Sequence, residues 1–399
     1  MLRGSRAFRG LWGARAVSVL GDSLGLVALL LYVQSATGAA LAVALLLLAG
    51  DFVPGLFGAF AGVVGDRFDL KRVMVVCDLV QGVLTAVMAV TLPPLPVLLV
   101  MVAVRSVTAQ VFHAASRSAM PALVRDEELE AANSALGAGT NGLEAIGPLI
   151  AAGLFLVTDV RGILLIDAAT FFVSAALLTR LPRIPPSKPS GHSVLKDARD
   201  GLGYIWRAAP VRVIGIGFFA VVAFNGVDDV AMVFLAKDEL HGSDSASATL
   251  YAGVGIGLIA GFAILARYAG RLTMPVLMLL GFAVSSMGNL VTGLAWAIWA
   301  ALALQVIRGL GIAAIDVGVN THLQRVVPVH LRSRVFGNLY GAIGLAAGLS
   351  YVLGGLLLQH TDARTTFVTA GAGGLIATAA TVLAVRRSGD AASEPPVRR

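Results

Sequence analysis

Apolar runs of about 20 residues recur from one end of the chain to the other, separated by short stretches that hold most of the charge. A helix needs about 20 such residues to cross roughly 30 Å of hydrocarbon. The pattern predicts twelve spans, over residues 11–32, 40–65, 73–92, 96–116, 133–157, 161–181, 211–235, 247–267, 274–294, 296–321, 334–358 and 364–386. Within lipid each backbone polar group has to be satisfied inside its own segment, so the expected fold class is an all-α polytopic membrane protein. The spans divide into two six-helix bundles, 1–181 and 211–386. Between them PRIPPSKPSGHS reads as a linker rich in Pro and Ser. In Val194–Trp206, Leu195, Ala198, Leu202, Ile205 and Trp206 oppose Lys196, Asp197, Arg199 and Asp200, the pattern of an amphipathic helix on the inner membrane surface. Residues 387–399 are polar and are expected to form a disordered tail.

Composition agrees with the pattern. Of 399 residues 57% are hydrophobic and 13% charged, against roughly 25% charged in a soluble domain. With the N-terminus in the cytoplasm, 25 of the 30 Lys and Arg fall on inner flanks, Arg15 among them. Three fall outside (Arg161, Lys237 and Arg364), and Arg105 and Arg308 lie within spans. Such asymmetry predicts a multi-pass protein of the inner (plasma) membrane with both termini cytoplasmic. The first run lacks a small-residue cleavage site and reads as a retained helix. The net charge of +7 is scattered over loops without a basic, aromatic-interleaved stripe, which argues against nucleic acid. One cysteine, Cys77, excludes an internal disulfide and a cysteine-based metal cluster. No nucleophile–base pair, metal-ligand spacing or phosphate loop stands out. An enzyme, a metal and a cofactor are therefore not expected, and GVGIG around Gly253 lacks the flanking strand of a nucleotide loop.

The candidate chemistry lies in charges placed inside spans: Asp22, Asp51, Arg105, Glu144, Asp167, Asp228, Asp229, Arg308 and Asp316. An ionised side chain at mid-membrane costs about 2.5–3.5 kcal/mol on insertion scales and normally faces a partner or a wet cavity. Arg105 cannot shed its proton, and Asp22 is the expected partner; a purely structural helix–helix pair is the plainer alternative. Asp51, Gly55, Gly58 and Gly62 follow helical spacing and so share a face. Asp167 stands beside a core set of Phe171, Phe172 and Leu177. Asp78 is expected near the inner surface, solvated or paired with nearby bases, and His113 packed or solvated. Gly147 and Pro148 mark a kink in the fifth span. The halves echo one another, since Arg308 follows Arg105 by 203 positions and Asn338 follows Asn133 by 205. Echoing halves place a binding site near mid-membrane between them, exposed alternately by rocking.

Between the second and third apolar runs, GAFAGVVGDRFDLKR places Gly62, Asp66, Arg67, Lys71 and Arg72 in a tight charged corner. It reads as a cytoplasmic gate, or more plainly as a positive flank that sets topology. These residues resemble the Gly-x-x-x-Asp-Arg loop pattern of the major facilitator superfamily, with Asp69 and Leu70 in place of the usual Gly and Arg. Arg105 resembles that family's fourth-span arginine, implicated in proton handling. GPLIAAG resembles its antiporter signature at Gly147 and Pro148, with Ala151 and Ala152 where two glycines are usual. ASRSAMPALV, EELEAANS and QRVVPVHLRSRVFGN are similar to the macrolide, siderophore and drug exporter branch. The resemblance covers the whole chain. It implies alternating access and proton-coupled export of a small amphipathic compound; Asp22 and Asp51, pulled between desolvation and a nearby cation, are the expected proton carriers with Arg105 tuning them, and a monomer without a cofactor is expected. A facilitator or importer of a small metabolite, and a lysolipid flippase, are the alternatives.

Overall fold

The computed structural model describes residues 6–56, 68–125, 128–185, 194–268, 272–328 and 331–393, and among these no strand occurs. The helices are α1 (Arg6–Thr37), α2 (Ala40–Leu47), a π turn (Leu48–Phe52) and α3 (Val53–Leu56), then α4 (Leu70–Thr91), α5 (Leu95–Leu123), α6 (Leu129–Leu154), α7 (Val160–Thr179) and α8 (Val194–Arg207). They continue as α9 (Ala209–Asn225), α10 (Asp228–Phe234), a second π turn (Leu235–Glu239), α11 (Asp244–Tyr268), α12 (Met274–Thr292), α13 (Ile298–Val326), α14 (Arg332–His360) and α15 (Ala363–Ser393). Among the described residues ten stretches are long and apolar enough to cross a membrane. The shorter α2 segment and the 26-residue α6 complete the expected twelve.

The helices are built inside out relative to a soluble protein. On α4, Val76, Leu79, Val83, Val87 and Val90 are exposed, whereas Asp78, Gln81 and Thr85 are buried on the opposite side. In lipid the exposed stripe needs no cover, and helix association rests on close packing and on polar contacts that cannot be made with hydrocarbon. Asp78, expected near the surface, is a correction. It is fully buried and accepts a hydrogen bond from Ser174 Oγ of α7 at 2.5 Å. The cause is rotational position: Asp78 shares the buried face with Met74 and Gln81, one turn away on either side.

Two compact units are present. One comprises residues 1–191 with 236–255, the other residues 192–235 with 256–399. In the first unit Phe8 and Leu11 of α1 pack with Met74 of α4, Phe112 and Met120 of α5 and Leu178 of α7. Residues 236–255 join this unit through two hydrogen bonds, Gln34 Nε2 to Asp238 Oδ1 at 3.2 Å and Ser245 Oγ to the Ala152 carbonyl at 2.7 Å. In the second unit Phe218 of α9, Phe282 of α12, and Val319 and Leu323 of α13 form the core. The amphipathic helix expected at Val194–Trp206 is present as α8. It is held to the second unit by Tyr204, whose hydroxyl donates to the Val326 carbonyl, and by the Asp200–Arg334 ion pair at 3.2 Å. Helix α15 runs to Ser393.

Of the charged corner, Gly62, Asp66 and Arg67 lie outside the described residues, as do Gly58 and the remainder of 57–67. Its described part shows why Asp69 and Leu70 stand there. Asp69 caps α4 by accepting from the Arg72 N–H at 3.0 Å, leaving Leu70 free to enter the core as the first helical residue. Lys71 Nζ donates to the Leu181 carbonyl at 2.7 Å, tying α4 to the end of α7.

Candidate functional site

The first unit contains a cavity of about 680 Å³. Three helices wall it at helical intervals: α1 with Arg15, Val19, Asp22 and Leu26; α5 with Val102, Arg105, Ala109, His113 and Arg117; and α6 with Leu136, Thr140 and Glu144. Asp51 completes the wall from the π turn. That turn has a local cause. Pro54 lacks the N–H that would bond the Gly50 carbonyl, and the Val53 N–H reaches back five residues to Leu48. The sequence reading that put Asp51 in register with Gly55, Gly58 and Gly62 assumed an unbroken α-helix. The π turn changes the register at Asp51 itself, and Gly58 and Gly62 lie outside the described residues.

Arg105 is the centre of the site. Its NH2 bonds Asp22 Oδ1 at 2.9 Å, the expected pair, and its NH1 bonds Asp167 Oδ2 at 3.0 Å. Thr85 Oγ1 lies 3.4 Å from NH1, and the Phe171 ring centroid lies 5.8 Å from the guanidinium carbon. The two carboxylates are not equivalent. Asp22 is 32% exposed and lines the cavity, whereas Asp167 is fully buried on α7. Asp167 reaches Arg105 through a notch in α1. A Cβ placed on Gly21 would stand 2.7 Å from Asp167 Oδ1, and one on Gly25 would overlap Oδ2. These glycines, four residues apart, leave bare backbone against which a carboxylate lies flat.

Gly147 and Pro148 act on the same wall. Pro148 has no N–H to donate to the Glu144 carbonyl one turn back, and Ser23 Oγ of α1 donates to that carbonyl instead, at 2.9 Å. Gly147 makes the approach possible, since a Cβ there would overlap the Ser23 side chain. Glu144 carries its own side chain on the cavity wall.

Arg15 is a correction to the sequence reading, and His113 is packed, one of the two states expected of it. Arg15, assigned by position to the cytoplasmic flank, is only 7% exposed. Its guanidinium donates to Ser116 Oγ at 3.2 Å and lies 3.2 Å from His113 Nδ1, which accepts. The signal was available: Arg15 precedes Asp22 by two helical turns and so shares its face.

The second unit repeats the arrangement. Arg105 and Arg308 each stand ten residues beyond the first residue of a 29-residue helix, α5 and α13. Arg308 forms an ion pair with Asp228, which is fully buried. Asp228 follows Asp22 by 206 positions, an offset close to that of the arginines, and this spacing was the missed clue. Here amides close the pair off. Asn289 Nδ2 donates to Asp228 Oδ2 at 3.0 Å and lies 3.2 Å from Asn225 Oδ1, while Arg308 NH1 donates to Gln305 Oε1 at 3.2 Å. Asp229 is half-buried beside it, and Asp316, half-buried further along α13, belongs to neither cluster. Among the described residues no group of His, Cys, Asp and Glu is placed to hold a metal ion.

Long apolar helices, buried ion pairs and a charged cavity are the features of a membrane transporter. The sequence profile of the Major Facilitator Superfamily matches residues 11–296 and 216–399, and the chain belongs to that superfamily. It is 25% identical over 393 residues to the uncharacterized MFS-type transporter YfiS of Bacillus subtilis, covering 93% of this chain and 91% of the relative. It is 27% identical over 182 residues to macrolide efflux protein A of Streptococcus pyogenes, 45% of each chain. The crystal structure of the nucleoside transporter NupG superposes with a TM-score of 0.80 at 11% identity, over 95% of this chain and 99% of that one, a likeness of fold.

Proposed function

We propose that the protein is a secondary active exporter of a small amphipathic compound, driven by proton antiport with alternating access. In this reading it is a monomer in the plasma membrane with both termini cytoplasmic. The observation that carries the reading is the Arg105 clamp. One guanidinium faces two carboxylates, so the group holds one negative charge with both ionised and none after one proton is taken up. Only Asp22 opens onto the cavity, which makes it the entry point for that proton. Uptake would weaken the hold of Asp22 on Arg105 and remove an acid from the wall against which a bound molecule rests. Loss of the proton would restore it. The partial similarity to macrolide efflux protein A supports export.

The test is efflux of a panel of macrolides and dyes from expressing cells, with and without an uncoupler, beside Asp22→Asn. Export that stops on uncoupling in the wild type, and loses its pH dependence in Asp22→Asn, is the expected result. Flux that simply follows the substrate gradient and ignores the uncoupler would mark a facilitator and overturn the reading.

A further inference from the structure

Apart from Arg105, which Asp22 and Asp167 hold, the charges around the cavity are sorted along its length. Asp22, Asp51 and Glu144 line one part, and Arg15, His113 and Arg117 line another. Arg15 and Asp22 are two turns apart on α1, roughly 10 Å at about 1.5 Å of rise per residue. His113 and Arg117 lie beyond Arg105 on α5 by eight and twelve residues, in the same sense as Arg15 lies from Asp22 across the antiparallel pair of helices. The basic end is built for an anion. Arg15 is more than nine-tenths buried, its hydrogen-bond partners Ser116 and His113 are acceptors without negative charge, and its Nε has no hydrogen-bond partner among the described residues. Arg117, exposed on the same wall, adds a second guanidinium. No carboxylate of the described residues stands within ion-pair distance of Arg15, so among them the buried guanidinium faces the cavity without a counter-ion.

We propose that the cavity selects a zwitterion, with a cationic group toward Glu144 and Asp51 and an acidic group (carboxylate, sulfonate or phosphate) about 10 Å away at Arg15 and Arg117. A plain cation would meet Glu144 and leave Arg15 uncompensated. A plain anion would do the reverse. A molecule carrying both replaces lost hydration at each end with an opposite charge. The proposal rests on the cavity being the transport site and names the class of molecule it carries.

The experiment uses the full-length protein in detergent and a coumarin dye with an alkylammonium group and a carboxylate about 10 Å apart. Its methyl ester supplies the cation alone and its N-acetyl form the anion alone. Binding is read by fluorescence anisotropy. The dye is expected to bind about tenfold more tightly than either control, as one charge-assisted hydrogen bond allows. Arg15→Gln should collapse the preference of dye over ester toward unity. Arg117→Gln, at an exposed position that folding does not depend on, should reduce it too. The proposal is overturned if the ester binds as well as the dye, if none of the three binds, or if both variants keep the wild-type ratio. Binding in detergent involves no gradient. A protein that shows the preference but fails the uncoupler test refutes export alone, and uncoupler-sensitive efflux without the preference refutes the zwitterion alone.

Discussion

Replacing Gly25 with alanine is the sharpest test of how the Arg105 clamp is assembled. The added Cβ would overlap Asp167 Oδ2, the oxygen that holds Arg105 NH1. If the carboxylate stays and α1 shifts, the cost is that of overpacking, about 1–3 kcal/mol. If the oxygen is driven off Arg105, a buried pair is broken, and the cost rises to about 3–5 kcal/mol. Asp167 is fully buried, so its displaced carboxylate would lose its cation without gaining solvent, and the larger range is expected. The same Cβ would stand 3.5 Å from Asp167 Cβ, an ordinary contact. In an Asp167→Ala background, therefore, Gly25→Ala should be close to neutral, or stabilising by about 1 kcal/mol through helix propensity. Unfolding of the four proteins of this cycle, purified in detergent, yields the coupling between the two positions, expected to exceed about 2 kcal/mol. Gly13→Ala on the same helix, whose Cβ would meet nothing closer than Leu177 Cδ1 at 4.0 Å, serves as the control and should cost little. An equal penalty for Gly25→Ala with and without the Asp167 carboxylate would refute the notch.

Two further outcomes are expected. Gly147→Ala should destabilise by about 1–3 kcal/mol through overlap with the Ser23 side chain, and in a Ser23→Gly background, where that side chain and its hydrogen bond to the Glu144 carbonyl are already lost, the same change should cost much less; thermal melts of the single and double variants check this. In the second unit Arg308→Gln should cost about 3–5 kcal/mol by leaving the buried Asp228 without its cation, and Asp228→Asn with Arg308→Gln should cost much less, as read from the midpoints of the same melts.

The spans were legible because crossing a membrane demands length and apolarity, and both are countable along a chain. The Asp22–Arg105 pair was legible because a guanidinium inside a span has so few partners. Asp167 was harder to place. Its role depends on two glycines of α1, and small residues on a distant helix leave no periodicity near the acid they accommodate. Asp78 and Arg15 were misplaced for a shared reason: distance from a span end says how deep a residue sits, not which way it turns. Helical phase would have resolved both, since Asp78 falls with Gln81 and Arg15 with Asp22. The π turn at Asp51 arises from what Pro54 lacks, a missing donor, which no pattern of apolar positions reports.

The two arginine clamps also differ in what they leave open. One acid of the first stays wet, while the amides around Asp228 seal the second. A chain that carries one device twice can let a copy retire from chemistry and keep it as a rivet, and the working copy is then at liberty to change its cargo without loosening the other half of the molecule.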